Sequence, residues 1–225
     1  MKYKSIAVDG PSGAGKSTLA RMLAQALGFL YVDTGAIYRT VALHILRSGV
    51  APEDTAAVTA LLDGISIDLK HGDDGLQHMY LGGEDVTQEI RRNEISRCAS
   101  GIAGIQAVRA FLLQMQRDMA TRQNVIMDGR DIGTVVLPNA DVKIFLTASP
   151  EARAKRRYAE LLEWGQSCDP DTVLSDIVER DRKDSSRTAA PLKQAEDAIL
   201  VDTTGISLEQ SLQVLLETIK ERINP

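Results

Sequence analysis

Short apolar runs recur along the chain at residues 6–8, 29–32, 125–127, 142–146 and 199–201, and most are continuous rather than alternating. Strands buried on both faces of a parallel sheet have this pattern. The segments between them carry helical periodicity. Leu19, Met22, Leu23 and Leu27 make one apolar stripe, closed by Gly28 at the position where a helix commonly ends. Val108, Phe111, Leu112, Met115 and Met119 make a second, whose methionines are read as core filling. Leu208, Leu212, Leu215, Leu216 and Ile219 make a third, with Ser207 as its N-cap, expected to pack back on the sheet. The class predicted is α/β. One stretch breaks the rhythm: Ile65, Ile67 and Leu69 alternate with Ser66 and Asp68, residues 71–75 (HGDDG) predict a turn, and residues 76–81 predict a second strand. A small antiparallel insertion over residues 64–94 is expected.

With 225 residues, 44% of them hydrophobic, the chain can bury one sizeable core, so one domain with insertions is expected. A formal net charge of -5 argues against the broad phosphate-backbone footprint of a nucleic-acid binder. Cys98 and Cys168 lie far apart with no CxxC pair, which indicates neither a disulfide framework nor a zinc site and fits a reducing cytoplasm. His44, His71 and His78 lack metal-ligand spacing. Residues 1–5 lead straight into an apolar run without a leader pattern, and nothing approaches about 18 uninterrupted apolar residues. The expectation is a cytoplasmic monomer without a membrane partner.

Residues 10–17, GPSGAGKS, fit G-x-x-x-x-G-K-[ST] and sit between a predicted strand and a predicted helix, the context that supports a phosphate-binding loop. Gly10, Pro11, Ser12, Gly13, Ala14, Gly15, Lys16, Ser17 and Thr18 are therefore expected to hold ATP. Gly13 and Gly15 let the backbone turn its N–H groups toward anionic oxygens, and the helix that follows adds its positive end. Lys16 reaches the β- and γ-phosphates, and Ser17 offers a hydroxyl to Mg²⁺. The competing explanation is an accidental glycine-rich turn, which the strand–loop–helix placement opposes. The motif leaves the reaction open.

Asp128 ends the apolar run 125–127, where a second strand beside such a loop supplies a carboxylate toward hydrated Mg²⁺. It is followed by Gly129, Arg130 and Asp131, a guanidinium and a carboxylate at the carboxyl end of a strand, where ligands of open α/β sheets gather. Arg130 suits a bidentate grip on phosphate, and Asp131 can accept hydrogen bonds from an amine on a base. Residues 33–39, DTGAIYR, repeat the arrangement after the second run. Arg180, Asp184 and Arg187 fall at i, i+4 and i+7, aligned on one helical face unless Ser185 and Ser186 end the helix early. A solvated ion-pair face is the simpler explanation of that trio. Arg153, Lys155, Arg156 and Arg157 form a second basic cluster after Ser149 (N-cap) and Pro150 (N1). Phosphoryl transfer gives such clusters a purpose: they stabilise spreading negative charge and, on a closing lid, exclude water.

Residues 9–19, 33–40, 128–147, 180–193 and 197–205 together resemble the bacterial cytidylate kinase, or (d)CMP kinase, family over essentially the whole chain. The GRD and RKDSSR blocks carry the resemblance. It implies a P-loop NTPase three-layer core with a five-stranded parallel sheet, a small antiparallel β insertion on the CMP side, and a helical lid. The implied organisation is 1–63 core with the P-loop, 64–94 NMP-binding insertion, 95–149 core, 150–188 lid and flanking helices, and 189–225 core. By matching position, Ser100, Arg109 and Asp131 read the cytosine, and Arg180 with Asp184 hold the sugar. Thr34, Arg39, Arg130 and Arg187 surround the acceptor phosphate, with Gly129 beside them. Thr34 stands where many members have Ser, and Ser17 where many have Gly; both keep or add a hydroxyl.

The activity implied is transfer of the γ-phosphoryl group of ATP to CMP or dCMP with Mg²⁺, the metal held by Ser17 and, through water, Asp128. Lys16, Arg130, Arg187 and Arg156 are the expected catalytic set. A kinase for UMP, AMP or another small acceptor is the alternative among enzymes. A non-kinase P-loop switch or regulatory nucleotide-binding module is the alternative outside them, although the chain has no Asn-Lys-x-Asp guanine-reading motif to support a GTPase switch.

Overall fold

The computed structural model, which describes residues 3–72, 75–163, 165 and 168–223, turns each apolar run into a strand. In chain order the elements are β1 (Ser5–Asp9), α1 (Lys16–Leu27), β2 (Leu30–Asp33), α2 (Thr34–Arg47), α3 (Thr55–Leu61), β3 (Ile67–His71), β4 (Gln77–Leu81) and β5 (Glu84–Asp85). There follow α4 (Asn93–Ile102), α5 (Gln106–Arg122), β6 (Val125–Gly129), β7 (Val142–Thr147), α6 (Pro150–Glu163), α7 (Pro170–Ser186), β8 (Ile199–Asp202) and α8 (Leu208–Ile223). The chain forms two compact units, one of Met1–Tyr31 with Ala120–Pro225 and one of Val32–Met119.

A five-stranded sheet runs in the order β2-β6-β1-β7-β8, with β1, β6, β7 and β8 in the first unit and the unit boundary falling within β2, after Tyr31. Ser5 to Asp9 run opposite Val125 to Gly129, so β1 and β6 end side by side at the residues that open the P-loop and the GRD turn. Ile6, Val8, Ile126, Ile144 and Leu146 form a core with Leu19 and Leu23 of α1 and Leu215 and Ile219 of α8. Burial on both faces explains why these runs are continuous in sequence. The edge strand β8 differs: Val201 is buried and Leu200 exposed. Gly28 closes α1 with φ 67° and its N–H on the Ala24 carbonyl. Ser207 and Gln210 form a reciprocal capping box, Oγ accepting from the Gln210 N–H at 3.2 Å and Oε1 accepting from the Ser207 N–H at 2.9 Å. Leu208, on the apolar stripe of α8, is nevertheless exposed. Helices α6 and α7 pack on each other through Ala154, Leu161, Val173 and Ile177, a small core of their own.

In the second unit β3, β4 and β5 form an antiparallel sheet, with Ile67 opposite Leu81 and Tyr80 opposite Asp85. Part of the predicted 71–75 turn, Asp73 and Asp74, lies outside the described residues. The unit is wider than residues 64–94, because α2 packs against both α4 and β4. On α5, Val108, Leu112 and Gln116 are buried, while Phe111, Met115 and Met119 are half-buried. Among the described residues no single helix is long and apolar enough to cross a membrane.

Candidate active site

The P-loop follows β1 through Gly10, whose φ of +148° and surroundings leave no room for a side chain: a Cβ there would lie 1.9 Å from the Leu146 carbonyl oxygen of β7. Gly13 and Gly15 also have positive φ, 74° and 89°. Helix α1 starts at Lys16 with Gly15 as its N-cap and no side-chain cap, so its first N–H groups are left to an anion. Lys16 is buried, and its Nζ donates to the Pro11 carbonyl at 2.7 Å. Burial, followed by the Arg130 guanidinium, pushes its ammonium well below the ordinary lysine value. A triphosphate would supply the negative charge this ammonium lacks.

Asp128, at the end of β6, is buried and accepts from Ser17 Oγ at 2.8 Å and Tyr31 OH at 3.0 Å. A carboxylate and a hydroxyl side by side at the P-loop are oxygen donors of the kind Mg²⁺ takes when phosphates and water complete its shell. No group of three or more His, Cys, Asp or Glu residues is poised for a metal among the described residues.

After Asp128 the chain passes Gly129, Arg130 and Asp131 into a wide turn over Ile132–Val136, with i→i+5 bonds from the Val136 and Leu137 N–H groups. Its opening N–H groups, of Ile132 and Gly133, go to the two oxygens of Asp9 at 2.8 and 2.7 Å. Asp9 is buried, and burial pushes its carboxyl up to about 6 against the pull of those two bonds.

Arg180 and Asp184 lie on α7, which continues through Ser185 and Ser186, and Arg187 is its C-cap. Asp184 is 1% exposed and joins two arginines, accepting from Arg130 Nε at 2.8 Å and from Arg187 Nη2. Burial raises its pKa, but Arg130, Arg187 and Arg180 outweigh that and hold it below the ordinary carboxylate range. The trio is thus a half-buried charge cluster with Arg130, centred on a buried carboxylate, rather than a solvated ion-pair face. Lys16, Ser17, Asp128, Arg130, Arg180, Asp184 and Arg187 all belong to the first unit, and Arg130 and Arg180 act electrostatically on Lys16.

Two arginines of α6 grip the P-loop from its backbone side. Arg153 is buried and donates to the Ala148 carbonyl at 2.8 Å and the Ser12 carbonyl at 3.1 Å, and pairs with Asp181 of α7 at 2.7 Å. Arg156 donates to the Thr203 carbonyl at 2.8 Å, Thr203 Oγ1 at 3.1 Å and the Ala14 carbonyl at 3.4 Å.

The remaining site residues lie in the second unit. Asp33 caps α2 through the Ala36 N–H at 2.9 Å and pairs with Arg39 Nη2 at 2.9 Å. Gly35 makes that approach possible, since a Cβ there would come within 3.1 Å of Asp33 Oδ1 and 3.2 Å of Arg39 Nη1. Thr34, the first residue of α2, is buried. Ser100 on α4 has a buried Oγ without a hydrogen bond among the described residues, and Arg109 on α5 donates to the Ala103 carbonyl at 3.2 Å.

Three further residues brace these loops within their own units, Asp9 and Tyr31 in the first and Gln77 in the second, and Arg153 of the basic cluster turns out to hold P-loop backbone. Gln77 accepts from the Asp33 N–H at 2.8 Å and donates to the Asp33 carbonyl at 3.1 Å, tying the small sheet to the residue that caps α2. Asp9 immediately precedes the P-loop motif, and Arg153 stands in the basic cluster; those positions were the available signals.

Comparison with known proteins points to one family. The family model described as cytidylate kinase matches residues 6–221. Similar proteins include a cytidylate kinase of Caldicellulosiruptor bescii, 49% identical with 96% of each chain covered. Another is a cytidylate kinase of Geobacter sp., 46% identical over 97% of this chain and 93% of that one. A crystal structure of an uncharacterized protein from Eubacterium ventriosum shares the fold, with a TM-score of 0.56 at 13% identity, covering 98% of this chain and all (100%) of the other. A P-loop core, an arginine cluster around a buried carboxylate, and near-full-length matches at 46–49% identity lead to one assignment: the chain belongs to the cytidylate kinase family.

Proposed function

We propose that the protein transfers the γ-phosphoryl group of ATP to CMP or dCMP, giving ADP and CDP or dCDP. The observation that carries this reading is the Arg130–Asp184–Arg187 cluster, with Arg130 among the charges that act on the P-loop lysine. A cluster with more guanidinium than carboxylate charge is suited to receive phosphate, and transfer between phosphates consists largely of positioning and charge stabilisation.

In this reading residues 10–18 hold the donor phosphates, and Lys16 stabilises the transferring group. Arg130 and Arg187 neutralise its spreading charge, and Arg156 contributes from the donor side. Arg130 and Arg187, with Thr34 and Arg39, grip the acceptor phosphate beside Gly129. Arg180 and Asp184 hold the sugar. Asp131, Ser100 and Arg109 read the base, the carboxylate accepting the cytosine amine where uracil presents a carbonyl, so UMP is the poorer acceptor. Ser17 and, through water, Asp128 would hold Mg²⁺, which when bound adds positive charge across the phosphates. No strong general base is required. The α6–α7 pair, with a core of its own, acts as the lid, residues 64–94 serve the CMP side, and the protein works as a cytoplasmic monomer without nucleic-acid or membrane partners.

The first test is Lys16→Ala, which should lower turnover on the order of 10²–10³-fold while leaving the circular dichroism spectrum and thermal midpoint near those of the parent. Near-normal turnover in that variant would sink the proposal.

A further inference from the structure

We propose that Asp9 is a positioning residue for the acceptor side: its carboxylate fixes the turn after Asp131 through two backbone N–H groups, and so sets where Arg130 and Asp131 stand relative to Lys16. This rests on the CMP kinase reading above and deepens it.

Asp9 is the last residue of β1 and the one before Gly10, where the P-loop begins. Its two oxygens each take one N–H, from consecutive residues, at 2.8 and 2.7 Å. Those N–H groups open a turn whose own bonds run from Val135, Val136 and Leu137 back to Asp131 and Ile132, so nothing within the turn serves them. Ile132 and Gly133 are buried, and buried N–H groups without an acceptor are costly. The fit is close on the other side too: a Cβ on Gly133 would meet Lys143 Cδ at 3.1 Å and Asp9 Oδ2 at 3.4 Å. Asp9 thus clamps the donor strand to the turn, one residue from Asp131 and two from Arg130.

A carboxylate is an expensive group to bury, and here burial raises its proton affinity despite the two bonds and the nearby Lys16. An apolar side chain would fill the same space without that penalty, but it would leave both N–H groups without an acceptor. The residue's contribution is therefore register between two loops. In-line transfer is sensitive to such register, a misplacement of about 1 Å costing on the order of 10²-fold.

Asp9→Asn keeps the size but can accept only one of the two N–H groups, its NH₂ facing the other. The experiment measures steady-state kinetics with CMP and UMP, ATP affinity by calorimetry, and the parent protein in the same runs. The expected result is a rise of about tenfold or more in KM for CMP and a narrowed preference for CMP over UMP, with ATP affinity changed less than about threefold. Parallel loss of the ATP and CMP parameters, or no change in either, would overturn the proposal. Failure of the parent to use CMP would count against the function itself, which separates the two outcomes. Should the variant not fold, amide exchange in the parent decides: Ile132 and Gly133 should be as protected as the β1 and β6 ladder. Exchange at the rate of an exposed loop would overturn the assignment.

Discussion

Replacing Asp184 by Asn probes the centre of the acceptor-side charge cluster without changing its shape. The side chain is 1% exposed, and its guanidinium partners Arg130 and Arg187 are 20% and 10% exposed. Removing one member of a fully buried pair costs about 3–5 kcal/mol, whereas an exposed pair contributes about 0–1 kcal/mol. The arginines retain some contact with water, so the loss should fall near the lower end of the buried range, about 3 kcal/mol. At this chain length that corresponds to a fall in thermal midpoint of roughly 6–12 °C. The assay is urea and thermal unfolding followed by circular dichroism, repeated with millimolar inorganic phosphate. Phosphate should recover part of the loss, because Arg130 and Arg187 are left without their shared carboxylate. A loss below about 1 kcal/mol would mean the pair behaves as a surface ion pair, and the buried-cluster argument would be refuted.

Two further outcomes follow from the P-loop strand. Gly10→Ala should not give a stable native protein, since its Cβ would fall 1.9 Å from the Leu146 oxygen at a φ of +148°; a cooperative unfolding transition like the parent's would contradict that geometry. The folded-state pKa of Asp9, about 6, lies above its ordinary value of 3.8, so the native state holds this proton more tightly. Its contribution to stability is full below the unfolded value and is lost as pH rises through about 6. The size is on the order of 3 kcal/mol, from the pKa difference. Urea unfolding of the parent and Asp9→Asn between pH 4 and 7 checks it: the parent should lose stability relative to the variant across that window, and parallel curves would contradict the assignment.

Much of this architecture is legible in the sequence because it is local. The five apolar runs coincide with the five strands of the large sheet to within about one or two residues at their ends. The end of α1 at Gly28 and the start of α8 after Ser207 follow from backbone chemistry that needs no tertiary partner. Where tertiary context decides, sequence is silent. Helix α7 runs through Ser185 and Ser186, and Leu208 sits on an apolar stripe yet is exposed. The partners of Asp128, Asp33 and Asp9 lie up to 123–124 positions away, in Ile132 and Gly133 for Asp9, and no local spacing encodes them. Most residues that touch substrate in the proposed function lie in recognisable blocks, Ser100 and Arg109 excepted, whereas Tyr31 and Gln77 lie in none and Asp9, though it opens one, resembles any strand-end Asp.

Whether the acceptor is a cytosine nucleotide is decided by an ADP-release assay over CMP, dCMP, UMP, AMP and non-nucleotide alcohols at fixed ATP and Mg²⁺. The highest kcat/KM is expected for CMP or dCMP, with UMP clearly poorer. A higher kcat/KM for any acceptor without cytosine, or ADP release that does not depend on acceptor, would contradict it.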